Sequence, residues 1–448
     1  MSLPTRCRSS AGKRIRPHAA RVAQLAWAAL CLTPPALAYD VSSSPYLLGD
    51  WNGQRTRLAE QGVTFGANYV SELASNLSGG SERLTRHTDQ WAFSTTLDLQ
   101  KLARWQGATF QFTMTDRNGR NLGADANIGN NMLIQEVYGR GQTWHLTQLW
   151  VNQKLLDDRL EVKLGRLTVG EDFASFSCDF QNLTFCGAQP GNLVGSYWVN
   201  WPTSQWAGRI KYRTSQKTYA QVGVYQVNPN YVDDSYARHN GWKPNNPGGT
   251  TGALVPLEVG WLPAFEGRPG SYKLGIWYNT SAGNDLYYDV NHEPRGVTGL
   301  DPLQRSGQFG VYINFQQQLT GTSGGRGATV FLNVSQADRN TAQLDHQIAL
   351  GVQYAGPFES RMRDSLGVAM GATHNNERFA HFVTQENART GQNVVAGSGY
   401  EYVTELYYAW SPVASVLLRP NVQYILHPGG TSHNANAFVI GLKSSVTF

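Results

Sequence analysis

Three cations stand at alternate positions in the stretch Gly208-Arg209-Ile210-Lys211-Tyr212-Arg213. Alternate side chains of an extended chain share a face, so Arg209, Lys211 and Arg213 form a positive row with Ile210 and Tyr212 opposite. Facing lipid, each would cost about 2–4 kcal/mol at mid-depth, so the row faces water. Glu401 and Glu405 also share a face. Four residues of strand set them about 13 Å apart, beyond the roughly 5–9.5 Å of a glycosidase carboxylate pair. The 10 His show no paired ligand spacing, so no metal site is expected. No G-x-S-x-G or His–Ser arrangement stands out as a nucleophile, and Gly79-Gly80, Gly324-Gly325 and Gly429-Gly430 lack phosphate-loop spacing. Neither an enzyme nor a cofactor is expected. What remains is solute recognition by charged groups on the polar face of strands.

The elements that position these groups repeat with a period of two. Val63, Phe65, Ala67 and Tyr69 alternate with polar or small residues, as do Trp91 to Leu99 and Phe110 to Met114. Similar stretches recur near 145–155, 160–168, 206–214, 218–227, 272–280, 308–319, 328–336, 345–354 and 365–373. So regular a recurrence implies one large sheet. In Ala437 to Phe448 the positions Phe438, Ile440, Leu442, Val446 and Phe448 are apolar and Lys443 falls opposite. Ten residues of strand, about 33 Å, tilted near 40° project to roughly 25 Å, the height of a lipid-facing barrel band. Tyr400 to Trp410 presents a face that is aromatic at both ends, with Glu401 and Glu405 on the other. Short connections such as Ser411-Pro412 alternate with long polar ones such as Glu386 to Gly399, the asymmetry of an outer-membrane barrel. Pro420 interrupts a periodic strand and predicts a bulge or an unpaired N–H.

Composition fits an exported protein. Residues 1–38 carry six of the 37 basic residues and none of the 32 acids, then a short apolar run and Ala36-Leu37-Ala38. This reads as a signal peptide cleaved after Ala38, and without it the chain stands at −1, so the basic balance says nothing about nucleic acid. Cys178 and Cys186 then remain, either as one disulfide or as two buried thiols. Residues 39–62 hold the best helix signal, with Asp50 or Asn52 as cap and Gly62 as stop, and 63–448 form the barrel.

Two stretches do not read as strands. Asn228 to Leu257 is an exposed loop rich in Pro, Gly, Asn and Asp. Gly170 to Gln205 carries both cysteines and many aromatics, too apolar to stand free in water. It either folds into the lumen or packs as a cap outside. By alternation Glu72, Glu401, Glu405, Arg117 and Lys443 point inward, near Trp277 and Tyr312. A lumen with both charge signs and aromatic rings suits polyhydroxylated neutral solutes, though general porins also have polar lumens.

The sequence resembles the OprB family of carbohydrate-selective porins over nearly its whole mature length. The resemblance rests on Leu47-Leu48-Gly49-Asp50-Trp51 with Gly53 and Arg55, on Tyr69, Glu72 and Asn76, and on Gln148-Leu149-Trp150. It continues in Gly165-Arg166-Leu167, Phe185-Cys186-Gly187, Glu405-Leu406-Tyr407-Tyr408, Pro428-Gly429-Gly430 and the terminal Val446 and Phe448. It implies an all-β fold, a 16-stranded antiparallel transmembrane β-barrel in the outer membrane of a Gram-negative bacterium. It also implies a constricted pore for passive diffusion of monosaccharides such as glucose. Glu72, Arg117, Arg166, Arg209, Lys211, Arg213, Glu401 and Glu405 are the expected substrate pathway. The partners are a small carbohydrate and lipid, and an apolar wall is compatible with a homo-oligomer. A channel for sugar acids, favoured by the cation row, a general porin and a plugged surface binder are the alternatives.

Overall fold

The computed structural model describes residues 42–448; the signal segment 1–38 and its cleavage at Ala38 lie outside them. Sixteen antiparallel strands close into a barrel. Strands β1 to β8 are Val63–Ser78, Thr85–Asp98, Ala108–Gly119, Trp144–Leu155, Leu160–Leu167, Gln205–Arg213, Thr218–Val227 and Gly252–Trp261. Strands β9 to β16 are Arg268–Asn279, Gln308–Gln318, Gly327–Ala337, Leu344–Ala355, Ser365–Asn375, Tyr400–Val413, Val416–Leu426 and Ala437–Thr447. Each pairs with its neighbours in sequence, and β1 pairs with β16 through Tyr69↔Val446 and Glu72↔Lys443, so no edge is left open. Closure satisfies the backbone in lipid, and no described helix is long and apolar enough to cross a membrane.

The alternation read from sequence sorts the two faces. Leu406, Tyr402 and Trp410 of β14 are exposed, whereas Glu401, Val403, Glu405 and Tyr407 are buried. On β16, Phe438, Ile440 and Leu442 face outward and Val439 and Lys443 inward. Connections at one end are short, such as the turn after Val413, which uses Ala414 and Ser415 rather than the expected Ser411 and Pro412. At Pro420 the β14–β15 ladder has no pairs between Tyr407↔Asn421 and Trp410↔Leu418, while the β15–β16 ladder runs on. The missing N–H faces β14.

One expectation is corrected. The loop read as Asn228 to Leu257 ends earlier, because Gly252–Trp261 is a full strand paired on both sides. Pro256 and the Gly-rich lead disguised its alternation, in which Leu257, Val259 and Trp261 face outward.

The helix Gln54–Glu60 sits at the short-turn end. Its N-cap is Gly53 rather than the expected Asp50 or Asn52, though Asp50 reaches back to accept from Thr56 N at 2.8 Å, and Gly62 follows its end at φ 98°. Arg55 is buried between the rings of Tyr46 and Trp51 and donates to the Phe448 carbonyl at 2.7 Å. The first described segment therefore fastens the chain end at the β1–β16 seam. Arg55→Ala removes one charge-assisted bond and two ring contacts, an expected loss of about 1–3 kcal/mol at that seam. Limited proteolysis should cut Ser44 to Gly62 faster in the variant, and equal rates would show that the contact carries no stability.

Candidate functional site

Two long connections at the other end turn back into the barrel. Their backbone N–H groups, removed from bulk water, need acceptors. Inward glutamates supply them. Glu405 accepts from Gln181 N and Asn182 N, both at 2.8 Å. Glu258 accepts from Ala174 N at 2.8 Å and from the Tyr312 hydroxyl at 2.7 Å. These hold the loop 168–204. The loop 120–143 is held by Glu401, which accepts from Asn131 N at 2.7 Å and Met132 N at 3.3 Å, and by Glu72, which accepts from Val137 N at 3.2 Å.

Apolar packing completes the anchorage. Phe180 and Phe185 pack with Phe331 and Tyr407 of the wall, and Trp198 lies against Trp277 and Tyr312. Cys178 and Cys186 are joined by a disulfide. Of the two arrangements left open for Gly170 to Gln205, the structure has the one inside the lumen.

Between the two loops and the wall lies a cavity of about 910 Å³, bordered by Gln90, Tyr138, Trp201, Asn200 and both cysteines. Arg117, Arg140, Arg419 and Lys443 supply four cations to its lining, and Glu136, Glu171, Asp179 and Asp234 supply four carboxylates. By formal count the lining is thus charge-balanced. Lys443 ties three pieces together: its Nζ donates to Glu136 Oε1 at 2.8 Å and to the carbonyls of Cys178 and Phe180 at 3.0 Å. With its three protons so used, it holds Glu72 Oε1, at 3.2 Å, by charge. Arg117 donates to the carbonyls of Glu136 and Tyr138 and to Gln90 Oε1, which also accepts from Trp201 Nε1. Arg419 bonds the carbonyl of Asp179 and pairs with its carboxylate at 3.3 Å. At the loop 120–143, Arg86 and then Arg120 hold the Asp125 carboxyl below its ordinary range, so this fastening is lost only when acid protonates Asp125.

The expected pathway residues separate into groups. Arg117 and the disulfide border the cavity. Glu72, Glu401 and Glu405 are buried behind it as acceptors for loop N–H groups. Arg166 donates to the carbonyls of Ser204, Lys243 and Asn245, joining two connections. Arg209 pairs with Glu161 at 3.3 Å and Asp172 at 3.6 Å, and Arg213 with Glu161 at 3.1 Å. Lys211 lies 3.9 Å over the Tyr219 ring. The cation row faces inward, but each member has a partner in the wall. Arg140, Asp234 and Glu136 went unread in the sequence because they sit in the connections between strands, Asp234 at the start of the helix Asp234–Asn240, where strand alternation assigns no face. Gly321-Thr322-Ser323-Gly324-Gly325 does match G-x-S-x-G, but it is the tip of the turn between β10 and β11, not a strand-to-helix elbow.

A closed barrel narrowed by its own loops around a charge-balanced void is the architecture of a diffusion porin. Residues 82–448 match the family described as carbohydrate-selective porin, OprB family, and the chain belongs to it. It is 42% identical over 455 residues to Porin B of Pseudomonas aeruginosa, spanning 97% of this chain and 99% of that protein. It is 34% identical over 429 residues to the putative porin QuiX of Acinetobacter baylyi, spanning 90% and 93%. The high-pH structure of Pseudomonas putida OprB superposes with a TM-score of 0.87 at 41% identity, over 91% of this chain and 99% of that one. The protein is a sugar porin, and its family and fold point to the Gram-negative outer membrane. In outer-membrane barrels the long connections are extracellular and the short turns periplasmic.

Proposed function

We propose that the channel passes neutral monosaccharides of about the size of glucose down their gradient into the periplasm, without catalytic turnover. The observation that carries this is the charge balance of the constriction: four cations and four carboxylates around one void. Such a lining carries no net sign by formal count, and the groups not already spent within it, chiefly Arg140 and Asp234, offer a donor and an acceptor to the hydroxyls of a neutral polyol. Tyr138, Phe176 and Trp201 add ring faces for the apolar side of a sugar. The cation row that favoured sugar acids is spent on Glu161, Asp172 and Tyr219. Residues 1–38 are the export signal, and the mature chain begins at Tyr39; sequencing of the purified protein from its amino end checks this.

Single-channel recording in planar bilayers tests the solute class. Added glucose should block the ion current in a concentration-dependent way and gluconate should not. The reverse order would transfer the channel to sugar acids, and a protein without conductance would sink the porin reading. Arg117→Ala, which opens one side of the cavity and leaves the Glu136 carboxylate to Lys443 alone, should weaken glucose block several-fold, whereas Arg209→Ala, behind the lining, should change it less.

A further inference from the structure

The loop 120–143 forms a second hollow next to the constriction. It has a volume of about 260 Å³ and is bordered by four asparagines, Asn121, Asn127, Asn130 and Asn131. No charged side chain borders it. Leu133 borders both this hollow and the central cavity, so the two are neighbours along one loop. The hollow is at the extracellular end: Gly129 lies against Asn434 of the β15–β16 connection, and Ser81 N of the β1–β2 connection bonds the Ala126 carbonyl at 2.8 Å.

Its walls are held independently of any solute. Asn121 accepts from Ala124 N at 3.2 Å, Asn130 donates to the Met132 carbonyl at 2.6 Å, and Glu401 fixes the backbone of Asn131. Gly123 lets Asn130 approach closely, since a Cβ there would stand 2.2 Å from Asn130 Oδ1. Two amides are left over. Asn131 Nδ2 is shut off from solvent with no hydrogen-bond partner among the described residues, a costly state for a donor that a turn of its side chain toward the hollow would relieve. Asn127 is exposed and its side chain has no partner among the described residues either. Each carboxamide offers two donor protons and an acceptor oxygen without a net charge.

We propose that this asparagine-lined hollow is a second carbohydrate site, a vestibule station where a neutral polyol docks from the extracellular side before entering the constriction. The amides replace part of the sugar's hydration shell and exert no pull on ions, so the site enriches sugars over salt. This rests on the sugar-porin reading of the central cavity, and its test separates the two.

Asn127→Ala, Asn131→Ala and the double variant are compared with the unaltered channel in planar bilayers, with D-glucose added to one side at a time. The variants should leave potassium chloride conductance unchanged and lower the rate of glucose block several-fold from the extracellular side, with little change from the periplasmic side. Equal block rates from both sides in all variants would overturn the vestibule site. If an alanine variant alters the salt conductance, Asn127→Gly decides alone, because glycine keeps the left-handed backbone that Asn127 adopts at φ 51° and removes only its exposed carboxamide. Failure of glucose to block the unaltered channel from either side would instead overturn the reading of the central cavity.

Discussion

Glu405→Ala is expected to raise single-channel conductance several-fold while leaving the barrel closed. Glu405 is buried, and its two oxygens each accept a 2.8 Å bond from the loop 168–204, at Gln181 N and Asn182 N. Alanine leaves both N–H groups without an acceptor inside the lumen, at about 1–3 kcal/mol each. The same apex is held by weaker neutral bonds: Asn421 Nδ2 donates to Gln181 Oε1 at 2.8 Å, and Asn182 Nδ2 to Gln423 Oε1 at 2.9 Å. Those bonds do not replace a carboxylate gripping two consecutive amides. The loop therefore swings from its seat and the lumen widens, whereas the strand ladders beside Glu405, Ala369↔Glu405 and Glu405↔Gln423, are backbone and persist. Glu405→Gln keeps one acceptor and sets an NH2 against the other N–H, so its conductance should fall between. Conductance of Glu405→Ala equal to the parent would mean that the other anchors, Lys443, Arg419, Glu258 and the rings of Phe180 and Phe185, seat the loop without Glu405.

The second large effect belongs to Lys443. Lys443→Met removes the cation shared by Glu72 and Glu136 and the donor to two carbonyls of the loop 168–204. Glu72 is fully buried, and stripping one partner from a buried ion pair costs about 3–5 kcal/mol. Loss of that size should lower the midpoint of urea-induced unfolding in vesicles. The double variant Glu72→Gln, Lys443→Met removes both charges, so its loss should be smaller than the sum of the single losses. Additive losses would show that the two residues do not interact. The lining of the constriction also loses one of its four cations. Reversal potentials in a salt gradient should therefore shift toward cation selectivity in Lys443→Met.

Alternation made the barrel legible, because a strand between lipid and water has to sort its side chains at every residue. Tyr402, Leu406 and Trp410 against Glu401 and Glu405 show this directly. The aromatic content of Gly170 to Gln205 marked a segment that has to bury its rings, but left open whether it does so in the lumen or as a cap outside. The loop 120–143 carried a similar signal in Ile128, Met132, Ile134 and Val137, all buried, but it is diluted by asparagines and glycines and was not read. Gly252–Trp261 was hidden by its proline. The roles of the charges were least legible. Alternation says that Glu405 points inward but not that its partners are backbone N–H groups more than 200 residues away in the chain. An inward charge serves either the solute or the loops, and only the folded path of the loops decides which. Arg209 and Arg213 illustrate the same limit, because Glu161, which neutralises both, lies on the adjacent strand β5.

The most direct test of a loop-narrowed, charge-balanced sugar channel is swelling of liposomes that contain the purified protein. In isosmotic glucose they should swell rapidly, and in an isosmotic disaccharide of the same concentration much more slowly. Liposomes that swell no faster in glucose than protein-free ones, or equally fast in both sugars, would contradict it.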